Sequence, residues 1–276
     1  MANFGLQAPG ALYERTGQRA GQGLQVVALA SQKGGAGKTT LAGHLAVQAL
    51  RTGNGPVALV DTDPQGSIAG WGRARRSDEP VVFPATARQL PGVITRLSEE
   101  GYGLLFVDTP PAVTEAISEV VRLSDLVIIP TRPSPHDLRA VGATVDIVEE
   151  HERAMVFVVN SATRGARITA EAAVALSQHG TVAPVTVHHR VDYAASMIDG
   201  RTVMEVSEES RSAQEIVALW EYVAERLDRI RRDTQLRTEA PGEAEVVEHI
   251  NTNGLIPGPR RPGRAFGRRA PDGLAT

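Results

Sequence analysis

The 276-residue sequence contains no cysteine, which excludes disulfide bonds, thiolate metal sites, iron–sulfur clusters and a cysteine nucleophile. Aromatic residues make up only 4% of the chain, which argues against a stacking platform for single-stranded nucleic acid. No apolar run reaches the ~18–20 residues of a membrane span, and the N-terminus has no basic segment followed by an apolar core. These absences predict a cytoplasmic protein that makes no contact with a membrane.

A large excess of one charge is also missing. The chain has 29 Lys and Arg residues against 32 Asp and Glu residues, which gives a net charge of −3 at pH 7. Binding to nucleic acid would therefore have to come from a local basic patch. The seven histidines show no H-E-x-x-H spacing, so a zinc site is not expected.

Short apolar runs alternate with helical patterns along most of the chain, and 42% of the residues are hydrophobic. Runs that are apolar throughout are typical of strands buried on both faces, and helices between them indicate parallel βαβ units. Strands are predicted at 26–30, 57–61, 104–108, 126–130 and 155–159. Helices are predicted at about 38–51, 66–76, 87–100, 113–123, 137–151, 169–179 and 212–232.

This pattern predicts a single α/β domain over residues 24–235, with a mostly parallel, twisted sheet flanked by helices on both faces. Residues 1–23 are rich in glycine without a period and are predicted to form a flexible arm. Residues 236–276 combine proline, glycine and arginine, which predicts a disordered C-terminal tail.

A glycine-rich segment, Q-K-G-G-A-G-K-T-T at residues 32–40, follows the first predicted strand and opens the first predicted helix. It is a variant of the P-loop motif G-x-x-x-x-G-K-S/T, in which backbone N–H groups and a helix N-terminus surround phosphates. Lys38 suits the β- and γ-phosphates, and the Thr39 hydroxyl suits Mg²⁺. The segment therefore predicts a P-loop NTPase domain that binds ATP and Mg²⁺.

Three aspartates lie at or just after the ends of predicted strands, where open α/β sheets bind ligands. Asp108 ends one strand and is expected to hold Mg²⁺ directly or through water, while Asp61 ends another and is placed to support the same ion. Asp63 is a candidate for orienting the attacking water. A strand-end aspartate also serves as a helix cap or turn residue, which is the alternative for each. No strong general base is evident, so slow hydrolysis is expected.

The segments KGGAGKTT, VDTDPQGS and VDTPP together resemble those of the deviant Walker A ATPases, and specifically ParA-type partition ATPases of the short, ParF-like plasmid class. The resemblance covers about residues 24–232. It implies that Lys33 is a signature lysine, which reaches across an ATP-dependent homodimer to the partner's phosphates. It also implies that Asp61 and Asp63 are switch I carboxylates and that Asp108 is the Walker B aspartate.

The same resemblance assigns further binding residues. The nucleotide is expected to contact the phosphate loop and an asparagine that ends a strand; these residues are Gly34, Gly35, Ala36, Gly37, Lys38, Thr39, Thr40 and Asn160. Asn160 would contact adenine, with a plain turn residue as the alternative. Arg190 aligns with a family arginine that contacts DNA, and Arg164, Arg167 and Arg201 are weaker candidates. Each of these arginines has the alternative of being an ordinary solvated side chain.

The resemblance implies a cycle in which ATP closes a dimer that binds double-stranded DNA without sequence preference. A ParB- or ParG-like centromere-binding partner would stimulate hydrolysis, which makes the protein nucleoid-associated and active in plasmid or chromosome partition. The alternative is an ATPase that positions a protein cargo, such as carboxysomes or chemoreceptor clusters, through a cargo adaptor. A membrane-bound MinD-like role is disfavoured because the proline- and glycine-rich C-terminus does not match an amphipathic helix.

Overall fold

The computed structural model describes residues 23–111 and 115–239, and its centre is one six-stranded sheet in which every pairing is parallel. The strands follow one another in space as β3-β2-β4-β1-β5-β6. Their bounds are β1 Gln25–Leu29, β2 Val57–Asp61, β3 Val81–Pro84, β4 Leu104–Asp108, β5 Leu126–Thr131 and β6 Ala154–Val159. The prediction of an α/β fold with a parallel sheet is confirmed.

Helices connect the strands and cover both faces of the sheet. Their bounds are α1 Lys38–Arg51, α2 Ser67–Ala74, α3 Leu90–Glu99, α4 Glu115–Arg122, α5 Pro135–Glu150, α6 Arg167–Ser177, α7 Val191–Met197, α8 Val203–Val206 and α9 Arg211–Glu239. A 3-10 turn at Ala87–Gln89 precedes α3. In the described part of the chain, no helix is long and apolar enough to cross a membrane.

The sheet separates two apolar cores, because successive side chains of a strand point to opposite faces. On one face, Val27 and Leu29 of β1 belong to a core shared with α1, α2, α7, α8 and α9. On the other face, Val26 and Ala28 belong to a core shared with α3, α4, α5 and α6. This burial on both faces explains why the central strands read as continuous apolar runs.

Strand β3 and helices α7 and α8 are absent from the sequence prediction. Strand β3 pairs only with β2 at the edge of the sheet, and its four residues form a short run that ends in proline and is half-buried or exposed. Helices α7 and α8 have seven and four residues, too few for a helical period to show.

Helix α9 is longer than the predicted 212–232, and it begins at Arg211 and ends at Glu239. The flexible arm predicted for residues 1–23 lies outside the described residues, apart from Gly23. Residues 240–276 of the predicted disordered tail, 236–276, also lie outside the described residues. These two predictions stay predictions.

The order of the strands fixes where a ligand site can form. The chain places β4 on one side of β1 and β5 on the other, so the connections diverge at the carboxyl end of β1. Such a topological switch point opens a crevice in parallel sheets. Asp61, Leu29 and Asp108 end neighbouring strands in matched register, which brings the two aspartates to the same edge.

Candidate functional site

The loop from β1 to α1, which we call the phosphate loop (residues 33–40), lies in this crevice. Gly37 precedes α1 with φ of 98°, a left-handed conformation that favours glycine. A Cβ atom there would lie 2.1 Å from the side-chain nitrogen of Asn160, which follows β6. Position 37 therefore requires glycine both for its backbone angle and for its close contact with the neighbouring strand end.

Lys38 begins α1 and is only 6% exposed. Its Nζ donates a hydrogen bond of 3.2 Å to the carbonyl oxygen of Ser31. Burial lowers the pKa of Lys38, and the carboxylates of Asp108 and Asp63 partly oppose that effect. Because an ammonium has three donors, the bond to Ser31 leaves this cation able to bind a phosphate as well.

Thr39 and Asp108 meet at the floor of the crevice. The Thr39 hydroxyl donates a 2.6 Å hydrogen bond to Oδ2 of Asp108, which is fully buried. Burial raises the pKa of Asp108 to about 7, although the bond from Thr39 acts in the opposite direction. Two of the three side chains predicted as metal ligands are therefore in direct contact.

Thr39 and Asp108 offer oxygen atoms that could bind a magnesium ion. Within the described ranges, no group of three or more His, Asp or Glu side chains is arranged to hold a metal by itself. Oδ1 of Asp108, however, is buried and has no hydrogen-bond partner in the described part of the chain. A carboxylate oxygen and a hydroxyl are ligands that Mg²⁺ prefers, and nucleotide phosphates would complete its shell.

Asp61 and Asp63 shape the loop that leads into α2. The two oxygens of Asp61 accept backbone hydrogen bonds, from Asp63 at 3.0 Å and from Ala69 at 2.9 Å. Oδ1 of Asp63 accepts a bond from the backbone of Gln65, and Asp63 lines the same cleft as the phosphate loop. The structure thus gives Asp61 the cap-like contacts that were its alternative reading, while its metal role stays a prediction.

Lys33, the predicted signature lysine, is exposed, as are Gly34 and Gly35 after it. Its backbone N–H donates a 3.4 Å bond to the hydroxyl of Ser31. This position leaves the side chain accessible to a second molecule. Its action across a dimer stays a prediction.

Asn160 is buried and acts on the phosphate loop itself. Its side-chain nitrogen donates a 2.6 Å hydrogen bond to the carbonyl oxygen of Ala36. Its backbone N–H donates to the carbonyl oxygen of Thr131, at the end of β5. The amide therefore ties the end of β6 to the loop, a contact that the sequence analysis missed, and the predicted contact with adenine stays untested.

Residues 187–194, which we call the cleft wall, face the phosphate loop across a cleft of about 340 Å³. Arg190, predicted to contact DNA, belongs to this wall and is 22% exposed at its side chain. Its Nη2 donates a 2.6 Å hydrogen bond to Glu215 of α9. The structure thus brings Arg190 to the same cleft as Lys38 and Thr39.

Arg132 also lies near the phosphate loop, and the sequence analysis did not single it out. Its guanidinium bonds to both oxygens of Asp137, at 2.9 Å and 3.3 Å. The remaining guanidinium nitrogen, Nη1, lies 3.7 Å from the position that a Cβ of Gly35 would take. An arginine directly after a buried strand was the available signal, because that strand end faces the crevice.

The other arginines predicted to contact DNA are on the surface. Arg167 pairs with Glu171 at 2.7 Å, and Arg201 pairs with Asp199 at 2.7 Å. Arg164 is exposed. Neither Arg167 nor Arg201 lines the cleft that contains Arg190. The structure therefore separates Arg190 from the surface arginines with which it was grouped.

A family model for the CobQ/CobB/MinD/ParA nucleotide-binding domain matches residues 27–231. The chain belongs to this family. Membership in this ParA/MinD family of P-loop NTPases implies nucleotide binding and ATPase activity. The predicted resemblance to ParA-type ATPases is confirmed at this level.

Curated relatives of the chain include proteins named for carboxysome distribution and proteins named for chromosome partition. "Maintenance of carboxysome distribution protein A" of Gloeobacter kilaueensis is 42% identical over 44% of this chain and 55% of the relative, so the chain spans about half of it. The protein of that name from Halothiobacillus neapolitanus is 28% identical over 68% of this chain and 90% of the relative. The chromosome-partitioning ATPase Soj of Thermus thermophilus is 34% identical over 45% of this chain and 61% of the relative.

Solved structures of the family share the fold. Apo McdA of Cyanothece superposes with a TM-score of 0.60 at 18% identity, covering 74% of this chain and 99% of that one. MinD of Pyrococcus horikoshii in complex with Mg-ADP gives a TM-score of 0.61 at 19% identity, covering 75% and 98%. At these identities the likeness shows the fold.

Proposed function

We propose that this member of the ParA/MinD family binds Mg-ATP in the phosphate loop, dimerises around it and binds double-stranded DNA to move a cargo along it. The observation that carries the proposal is the convergence of Lys38, Thr39 and Asp108. A buried cation, a hydroxyl and an unpaired carboxylate oxygen meet where two neighbouring strands end. This set of groups suits a triphosphate and its Mg²⁺.

Hydrolysis would rest on positioning and on stabilisation of the charge that develops on the phosphates. Asp63 lines the cleft and orients the attacking water, while Lys38 stabilises charge that develops on the phosphates. Basal turnover is slow, and a partner protein that binds the ATP-loaded form stimulates it. A ParB- or ParG-like centromere-binding protein would fill that role in plasmid or chromosome partition.

The dimer would form around the nucleotide, with Lys33 of each copy reaching the partner's phosphates. The exposure of Lys33 supports this role. Light scattering with a slowly hydrolysed ATP analogue tests it: the wild type should become dimeric, and Lys33→Ala should remain monomeric. A Lys33→Ala variant that dimerises as well as the wild type contradicts the proposed contact.

DNA binding in this proposal is electrostatic and independent of sequence, with surface arginines such as Arg164, Arg167 and Arg201 as candidate contacts. Affinity should then fall steeply with salt and should depend on ATP. Unrelated duplexes should bind alike. Equal binding in ATP and ADP would remove the link between nucleotide and DNA, and with it the nucleoid-associated cycle.

Positioning of a protein cargo is a second candidate function. It is favoured by the two relatives named for carboxysome distribution, one of which aligns over 90% of its length. The site chemistry is the same in both cases, so the stimulating partner decides between them. A small DNA-binding protein encoded beside this chain that stimulates its ATPase supports partition, whereas stimulation by a cargo-bound adaptor supports cargo positioning.

A further inference from the structure

Glu215 of α9 collects four hydrogen-bond donors, all from the cleft wall. Oε1 accepts bonds from Nδ1 of His188 at 2.8 Å and from Nη2 of Arg190 at 2.6 Å. Oε2 accepts bonds from the backbone N–H of His188 at 3.0 Å and from the hydroxyl of Tyr193 at 3.0 Å. One carboxylate therefore holds three residues of the wall that faces the phosphate loop.

The carboxylate is held on a rigid support. Neighbouring side chains of α9, among them Ile216, Leu219 and Trp220, are at most 2% exposed in the core. Glu215 itself is 14% exposed at its side chain. Burial opposes its ionisation, but the bonds from Arg190, His188 and Tyr193 outweigh burial and lower the pKa of Glu215. The group is therefore a fixed anion at the back of the wall.

The wall itself has little regular structure before α7. Its backbone is attached through the N–H of Val187 to the carbonyl of Val159 and through the N–H of His189 to the carbonyl of Ala162. Those bonds locate the start of the segment but do not orient the side chains of His188 and Arg190. Orientation of these two side chains comes from Glu215.

We propose that Glu215 is the positioning residue of the nucleoside half of the pocket, and that Arg190 is a nucleotide-pocket residue and not a DNA contact. This inference rests on the proposed function, because it requires ATP to bind in the phosphate loop. With its triphosphate on Lys38 and Thr39, the nucleotide extends its ribose and base towards the cleft wall. Glu215 touches no nucleotide in this arrangement and acts through His188, Arg190 and Tyr193.

Glu215→Gln is the sharpest variant because it keeps the size of the side chain. A glutamine has one acceptor oxygen, and its NH₂ group would face two of the four donors. Donors left without an acceptor would no longer hold His188, Arg190 and Tyr193 in place, so ATP affinity should fall about tenfold. Affinity for inorganic triphosphate should not change, because that ligand contacts only the phosphate loop.

Calorimetric titration of the full chain with Mg-ATP and with Mg-triphosphate separates the outcomes. Glu208→Gln is the matched control, because Glu208 pairs with Arg51 outside the cleft. It should bind both ligands like the wild type. Unchanged ATP affinity in Glu215→Gln overturns the inference, and so does a parallel loss of affinity for both ligands, which would mean a general structural role. A wild type that binds neither ligand overturns the proposed function and the inference with it.

Arg190→Ala keeps the inference testable if Glu215→Gln does not fold. It should also weaken ATP binding about tenfold and spare triphosphate. At saturating ATP, it should bind an unrelated duplex as the wild type does. Normal ATP affinity together with lost DNA binding would show that Arg190 contacts DNA, and would overturn its assignment to the nucleotide pocket.

Discussion

The two sides of the cleft are built in different ways. The phosphate loop is one continuous stretch that runs from the end of β1 into α1, and Ser31 directly before the motif accepts hydrogen bonds from both Lys33 and Lys38. The cleft wall depends on Glu215, which lies more than 20 residues further along the chain. A site built from one continuous segment can be recognised in the sequence and is little affected by substitutions elsewhere in the chain. A wall held by one distant carboxylate is instead sensitive to a single substitution.

Loss of the phosphate-loop cation should have the largest effect. Lys38→Ala removes a buried charged donor, and truncation of such a partner costs about 4 kcal/mol, or about 1,000-fold in affinity. Affinity for both ATP and inorganic triphosphate should fall, in contrast to Glu215→Gln. Calorimetry measures this directly, and unchanged ATP affinity would exclude the P-loop assignment.

Asp63→Ala should separate chemistry from binding. Asp63 lines the cleft and is expected to orient water without holding nucleotide, so ATP should still bind with normal affinity. Turnover stimulated by the partner should fall about 100-fold, the usual scale of a lost proton-handling or water-orienting group. Steady-state assays of phosphate release check this, and normal stimulated turnover contradicts the role.

His44 connects the two sides of the cleft and predicts a dependence of stability on pH. Its Nδ1 donates to the carbonyl of Thr40, and its Nε2 accepts from the backbone of Val203 at 3.2 Å. Its ring also meets the edge of Tyr193, with centroids 5.4 Å apart. A protonated ring would lose the acceptor that Val203 needs.

Burial lowers the pKa of His44 from 6.5 to about 4, despite the opposing effects of the Thr40 carbonyl and Glu205. Between these values the unfolded chain binds a proton that the folded chain does not, so stability is full above pH 6.5 and falls below it. From pH 8 to pH 4.5 the wild type should lose about 2.5 kcal/mol of unfolding free energy that His44→Asn does not lose. Chemical denaturation across this range tests it, with His136→Asn on the exposed start of α5 as the control.

Arg132→Ala should have the smallest effect. Its guanidinium is 36% exposed, so solvent screens its charge, and its contribution should be at most about 1 kcal/mol. ATP affinity should fall up to about fivefold. Arg122→Ala, which breaks the exposed pair with Glu119 on α4, is the control and should have no effect on nucleotide binding. Equal ATP affinities in Arg132→Ala and Arg122→Ala would mean that Arg132 does not contribute to nucleotide binding.

The apolar runs and the glycine-rich motif of the sequence predicted most of the fold and the phosphate-loop side of the cleft. Five strands were readable because they are apolar runs with all or most of their residues buried, while β3 was not, since it has only four residues and these are half-buried or exposed. Lys38, Thr39 and Asp108 were readable because their positions after buried strands bring them to one edge of the sheet. The contact of Thr39 with Asp108 joins residues 69 positions apart and follows from the parallel pairing of β1 with β4.

The sequence by itself determined the class of the fold and the phosphate loop, because periodicity and a contiguous motif carry that information locally. Only the tertiary structure decided which groups Asn160, Arg190 and Glu215 contact. Asn160 supports Ala36 instead of pointing freely from a strand end, and Glu215 meets Arg190 because α9 packs against the sheet beside the cleft wall. Such contacts join side chains from distant segments, and the residue types alone do not specify which donors a buried carboxylate will collect.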